Sequence, residues 1–553
     1  MFIEHCFWGV KFIELDGLGE KIFGFPEFLT GVAMIVLAWT ISDARYKFRV
    51  ETAPIPVLGI SFYMIAILGF LTLLTDLWKV EHWWVPAGNI FTPSTWQAFL
   101  GGLLLMTLFT WLWFAFIKPP KYGRSNAFRF ANTIYRYTFN GSPTELQIVA
   151  DELRRSIPNI IKFAPAKEDQ IQSKSKKRSK VADIANDLLL LLADRRMCRA
   201  IINSAPGTAM VIFKEISEQH KYRINIGVLG KNLINEAFIN KNSFLFHETE
   251  GYQSGLLGYQ KPLSNAIYGN HTIVDSISTL FDVNYEVYSN WDAEQFEAFC
   301  RVVLIAIDDC VVNNILHINP SLYRALDIIK GTSSILTRMN NLNEIDKETY
   351  SKIDSITKFI EKSCVILDRL DIDDVDLKKR YKTRTSTRAN YFDELANIAF
   401  KLIVNAGDVK TPRTQCWWVQ HNLVWGELFG FNRLNGKSGA LVIYKVKRLM
   451  QEEVVRMEKF PNFQGARVVA ICLNVMGFEK SSGTLDKYMR DFHRWLLWWL
   501  RKNFNNLFLT NSNVGKECLV EGVEYDALKR YLVKTYPANG LRVSPAQSYL
   551  YVK

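Results

Sequence analysis

The sequence predicts an integral membrane protein: an N-terminal three-helix transmembrane bundle followed by a mainly α-helical cytosolic body with a small β element. Three observations carry that expectation. Apolar stretches at about 23–41, 54–77 and 96–117 follow one another within the first 120 residues. Hydrophobic residues make up only 48% of the 553 and mean hydropathy is near zero, so a large soluble body must follow the anchor. From residue 125 onward the apolar residues recur mostly at the spacing that lines one face of a helix.

Each apolar stretch approaches the roughly 20 residues that a helix needs to cross about 30 Å of hydrocarbon. The third has no charge from Ala98 to Ile117, and a mid-bilayer charge costs about 2.5–3.5 kcal/mol on insertion scales. One such run is also what a buried core helix looks like; three in succession point to lipid. Residues 1–22 alternate apolar and charged side chains too often to span. Phe2, Ile3, Cys6, Phe7, Val10 and Ile13 fit one helical face, which predicts an interfacial segment or a helix packed on the extracytoplasmic side.

Orientation follows from the loops. Arg45, Lys47 and Arg49 lie between the first two spans, and Lys118, Lys121 and Arg124 follow the third, whereas the N-terminal flank and residues 79–95 are poorer in cations. The positive-inside rule then sets the N-terminus outside and the body in the cytosol, at the plasma (inner) membrane. Trp78, Trp83, Trp84 and Trp96 gather around the outer loop, where amphipathic rings prefer the headgroup level. Glu27 and Asp76 sit near the outer ends of the first two spans, as interface carboxylates or pore-lining groups. Gly59, Ser61, Ala66, Gly69, Gly101 and Gly102 offer close helix approach. Three spans enclose little volume, so a pore would require a homo-oligomer.

The body reads as juxtamembrane helices at 118–165, a basic linker at 166–180, an α-helical cytosolic domain at 181–370, a charged boundary at 371–390 and a C-terminal α+β cytosolic domain at 391–553. Ser142, Pro143 and Glu145 start a helix expected to reach Ala164, through a capping box with Pro at the first helical position. Further helices are expected at 181–202, 206–219, 228–239, 292–316, 320–340, 344–370, 391–405, 412–429 and 438–458. Residues 241–290, rich in Gly, break into short pieces. Residues 466–475 and 541–552 read as extended.

Charge is unevenly placed. Through Lys118 there are 7 Lys and Arg against 9 Asp and Glu; the remainder has 60 against 46. A basic body suits anionic headgroups; nucleic acid is the less favoured partner. The basic patch comprises Lys174, Lys176, Lys177, Arg178 and Lys180, with Lys378, Lys379 and Arg380 further on. Eight cysteines without a CxxC pair exclude a zinc ribbon or a thioredoxin-type site and suit reduced cytosolic thiols.

No complete catalytic motif is present. His247, Glu248 and Glu250, with His271, are the catalytic candidates, since imidazole beside carboxylate can move protons; a surface turn explains them better. Asp371, Asp373, Asp374 and Asp376 are candidate metal ligands, but they lack the Gly and distal Glu of an EF-hand loop, and a charged linker fits better. Gly227–Lys231 and Gly436–Ser438 lack the upstream Gly of a phosphate loop. The most unusual segment of the body holds Lys487, Arg490, Arg494, Trp495, Trp498, Trp499 and Arg501, a basic Trp-rich helix suited to a membrane surface, a partner groove or a core.

Together these features lead to the expectation of a multi-pass protein whose cytosolic body senses a ligand or partner and controls an oligomeric bundle, as a channel or membrane effector. In layout this resembles bacterial anti-phage effectors. The alternatives are a membrane-tethered enzyme acting on nucleotide, nucleic acid or lipid, and an adaptor holding nucleic acid or a protein complex at the bilayer. No cofactor is implied.

Overall fold

The structure is a computed structural model that describes residues 5–7, 10–14, 22–41, 43–86, 92–166, 179–248, 262–342, 346–370, 390–430, 433–479, 487–520, 522–536 and 544–553. It is mainly helical, with two three-stranded sheets among the described residues. The chain divides into two compact units, Met1–Leu233 and Ile234–Lys553.

The first unit opens with strands β1 (His5–Phe7) and β2 (Val10–Glu14), not the interfacial helix expected at 1–22. Here β3 (Trp84–Pro86) supplies a partner to β2, pairing Phe12 with Pro86 and Glu14 with Trp84. A distant segment thus decided the local structure.

The apolar stretches form α1 (Phe25–Ile41), α3 (Val57–Val80) and α4 (Pro93–Leu112), with α2 (Ala44–Glu51) between the first two; α4 continues as a π-helical turn, Trp113–Ile117. Among the described residues, α3 and the run Ser94–Ile117 are the two helices long and apolar enough to cross a membrane; at about 1.5 Å per residue, 24 residues span about 36 Å. Helix α1 has 17 residues, about 26 Å, which corrects the expectation of three full-length spans. Its start is fixed where the amides of Gly24 and Phe25 donate to Glu27 and Asp76, both at 2.9 Å. Beyond its end, Asp43 accepts from the Arg45 amide and begins α2. Glu27 and Asp76 therefore supply acceptors to helix-start amides.

Phe28, Leu68, Leu100 and Leu104 form the shared core of the three helices. A Cβ on Gly69 would stand 2.9 Å from the Phe28 ring, and one on Gly101 would meet Phe23 at 3.2 Å, so these two glycines do permit close packing; Gly59 and Gly102 face open space. Thr72 and Thr107 return their hydroxyls to the carbonyls of Leu68 and Leu103, so that each of these two donors is satisfied within its own apolar helix. Only 17% of each long apolar window is buried, and Phe62, Phe70, Met106 and Phe109 are exposed.

Beyond the apolar helices come α5 (Ala127–Asn140), α6 (Pro143–Leu153) and α7 (Ile157–Phe163). The Ser142–Glu145 capping box is present as expected, but the helix ends at Leu153 because Pro158 lies in the first turn of the next one. The expected helix at 181–202 likewise divides into Lys180–Leu192 and Arg195–Ser204, with Asp194 capping the second.

In the second unit Ala293–Val312 packs against Lys347–Leu367, and Tyr391–Ala406 packs against Gly436–Arg456 and Phe463–Met476. The last corrects the extended reading of 466–475. Ala466, Val468, Val469, Ala470, Ile471, Cys472 and Leu473 are all buried. A helix apolar on every face has no amphipathic period to reveal it. The observed strands are Val523–Asp526, Tyr531–Tyr536 and Ala546–Tyr551, an antiparallel meander.

Candidate functional site

Within the first unit, one joint ties the apolar helices to the polar helices that follow. At its centre is Arg49 of α2, whose side chain is almost wholly buried. Its Nε and Nη2 donate to Glu152 of α6 at 2.8 and 2.6 Å, and Nη1 donates to the carbonyl of Ala115 at 2.9 Å. The guanidinium fork matches a carboxylate with two parallel bonds and leaves a third donor for a carbonyl. The bonds to Glu152 outweigh the cost of burial and hold the Arg49 guanidinium even more firmly protonated than usual.

The third acceptor explains the choice of residue. A π-helical turn disturbs the regular hydrogen-bond ladder, and Ala115 sits inside it, fully buried against Val50, Ala53 and Val57. Arg49 thus binds at once the end of the third apolar stretch and the first polar helix pair, from the loop between the first two stretches. Arg45 adds a bond of 3.2 Å to Asp151. Asn126 donates to the carbonyls of Thr52 at 2.7 Å and Lys121 at 3.0 Å, and Arg129 of α5 donates to those of Ala53 and Pro54. Arg136 pairs with Glu51, whose carboxyl is nonetheless pushed up, mainly by burial. Phe48 packs between Phe130 and Tyr137.

At the opposite end of α3, Trp78 and Trp83 meet edge to face at 5.0 Å beside the exposed Trp84. Trp96 donates to Thr75 at 3.1 Å. The two ends of the hairpin therefore differ in kind. One is an aromatic rim with the small sheet; the other is an arginine-rich joint to the polar helices.

Of the residues singled out for catalysis, Glu248 and His271 have described side chains, and each is engaged at the start of a helix. Glu248 is buried and accepts from the amides of Leu263 and Ser264 and the Ser264 hydroxyl, at 2.5, 2.9 and 2.5 Å, as an acceptor at the start of helix Pro262–Tyr268. Burial raises its pKa, opposed by those bonds. His271 begins helix His271–Ser276, with its amide and Nδ1 at 2.6 and 3.1 Å from Asp309. Glu250, Asp371, Asp373, Asp374, Asp376, Lys174, Lys176, Lys177, Arg178, Lys378, Lys379 and Arg380 lie outside the described residues, as do the side chains of His247 and Lys487. Lys180 is exposed. Among the described residues no group of three or more His, Cys, Asp or Glu is placed to hold a metal.

The Trp-rich helix, Lys487–Thr510, is divided between core and surface. Trp499 is buried and donates to Glu458 at 2.7 Å. Trp495 is half-buried, whereas Trp498 is exposed beneath the Lys502 ammonium, with Arg490, Arg494 and Arg501 also in solvent. Gly436 begins its helix at φ 84°, and the amide of Ser438 donates to Asp368, so a carboxylate occupies the place a phosphate would take. Sequence spacing also missed a buried polar cluster. Lys534 donates to the carbonyls of Leu473 and Asn474 at the end of Phe463–Met476, and Asn474 donates to Gln420. Burial, then Arg413, pushes Lys534 down to about 8; burial pushes His421 down to about 4.

The Arg49 joint was not legible because its members lie far apart in sequence, at 49, 115 and 152. The only local signal was a set of cations between two apolar stretches, which the positive-inside rule absorbs completely. No protein family, curated protein or solved structure matches the chain.

Proposed function

We propose that this chain is a multi-pass membrane protein whose helical body responds to a ligand or protein partner and thereby sets the packing of its apolar helices within a homo-oligomer, as a channel or membrane effector. One observation carries the reading: the long apolar helices are mostly exposed along their length and end in a buried three-way arginine joint to the polar body. A soluble core helix would be covered, and a simple anchor has no need of a rigid joint. In this reading α3 and the run Ser94–Ile117 cross, and the 17-residue α1 packs against them through Phe28. The rim with Trp83 and Trp84 faces outside; the joint and the body face the cytosol at the plasma membrane. A change of state in the body biases the apolar helices through Arg49, because a joint with discrete hydrogen bonds has discrete arrangements. The exposed cationic face with Trp498 is the surface offered to a protein partner.

The test is membrane extraction followed by reconstitution of the full chain. The protein is expected to resist alkaline wash, to require detergent, to run as an oligomer and to render liposomes permeable to small ions. Arg49→Met is expected to alter that permeability without releasing the protein from the membrane. A chain that stays in buffer without detergent overturns the membrane assignment. A strictly monomeric particle with no permeability overturns the channel.

A further inference from the structure

Helix α5 carries an exposed face that the joint does not use. Phe128, Tyr135 and Phe139 are 71, 55 and 55% exposed, and at positions i, i+7 and i+11 they share one stripe. The rings of Tyr135 and Phe139 lie 4.5 Å apart on the outside of the helix. On the opposite side Phe130, Thr133, Ile134 and Tyr137 are buried. Arg129 and Arg136, about a quarter-turn from the stripe, are both spent on residues 51–54, just before α3 begins. Those two contacts are seven residues apart, so about 10 Å of α5 lies beside the turn from which an apolar helix departs. The stripe therefore points away from the polar core, at the level where α3 starts, and Ile55 is exposed there too.

We infer that α5 lies in the headgroup layer of the bilayer, with Phe128, Tyr135 and Phe139 inserted among the acyl-chain ends. The inference rests on the proposed membrane reading and adds a second, in-plane contact to it. The occupant is lipid because Arg129 and Arg136 hold the stripe beside the turn from which the exposed apolar helix α3 departs. Aromatic rings flanked by cations are also the composition that headgroups favour, and Lys121 and Arg124 are exposed just before the helix. Each such cation near an anionic surface adds about 1 kcal/mol. A helix so placed clamps the joint at a fixed depth, because Arg129 and Arg136 tie it to the turn that Arg49 also anchors.

The test places photoreactive benzoylphenylalanine at two exposed positions of the full chain, Tyr135 and Phe62, in nanodiscs of phosphatidylcholine and phosphatidylglycerol. Phe62 is 70% exposed on α3 and reports on the membrane reading alone. Lipid adducts detected by mass at both positions, in yields of the same order, are the expected result. Lipid adducts at 62 with none at 135, or with a covalent dimer formed through 135, overturn the placement of α5 and leave the membrane reading standing. No lipid adduct at 62 overturns both.

Discussion

Replacing Arg49 by Met tests the joint most directly. The substitution removes three hydrogen bonds and leaves Glu152, itself 6% exposed, as a buried carboxylate with only the Arg45 guanidinium 3.6 Å away, beside an unpaired Ala115 carbonyl. Stranding one member of a buried ion pair costs about 3–5 kcal/mol. For a unit of this size 1 kcal/mol moves the midpoint by about 2–4 °C, so thermal unfolding in detergent should drop by roughly 6–20 °C. Glu152→Met strands the guanidinium instead and should cost a similar amount. The double variant removes both charges, leaving chiefly the Ala115 carbonyl, worth about 1–3 kcal/mol. It is therefore expected to be more stable than either single variant. Arg136→Ala, which breaks a pair whose arginine side chain is 54% exposed, should cost no more than about 1 kcal/mol. The reasoning is refuted if the two single losses simply add in the double variant, or if Arg49→Met unfolds no earlier than Arg136→Ala.

Four further outcomes follow from the same geometry. Glu248→Ala leaves two amides and a hydroxyl without their acceptor, so the second unit should lose about 2–4 kcal/mol by denaturant titration; a variant of unchanged stability would show that the caps are replaceable. Trp499→Ala should cost about 3–5 kcal/mol and Trp498→Ala less than about 0.5, with the first shifting the folded-state fluorescence maximum to the red and the second to the blue. His421 stays neutral in the fold down to about 4, whereas the unfolded chain protonates it near 6.5. The unfolded state binds the extra proton between those values, so stability should fall as pH drops from 6.5 towards 4, by up to about 3 kcal/mol, and His421→Gln should flatten that slope. Gly69→Val would press a branched side chain into the Phe28 ring and should lower the detergent midpoint, whereas Gly59→Val, in open space, should not.

The sequence by itself determined the position of the apolar stretches, most helix starts of the body and the existence of a small β element. These are written in short-range chemistry: runs of apolar side chains, and caps such as Ser142, Asp292 and Asp346 that accept from amides two or three residues on. Tertiary structure decided the rest. Val10 to Glu14 is a strand because Trp84–Pro86 pairs with it, and the apolar run 468–473 sits in a helix whose neighbours bury all six of its residues. Arg49 becomes a joint because Ala115 and Glu152 arrive from 66 and 103 residues away. A residue's type fixes which partners it can satisfy; only the folded chain fixes which partners come within 3 Å, and burial makes those bonds energetically decisive.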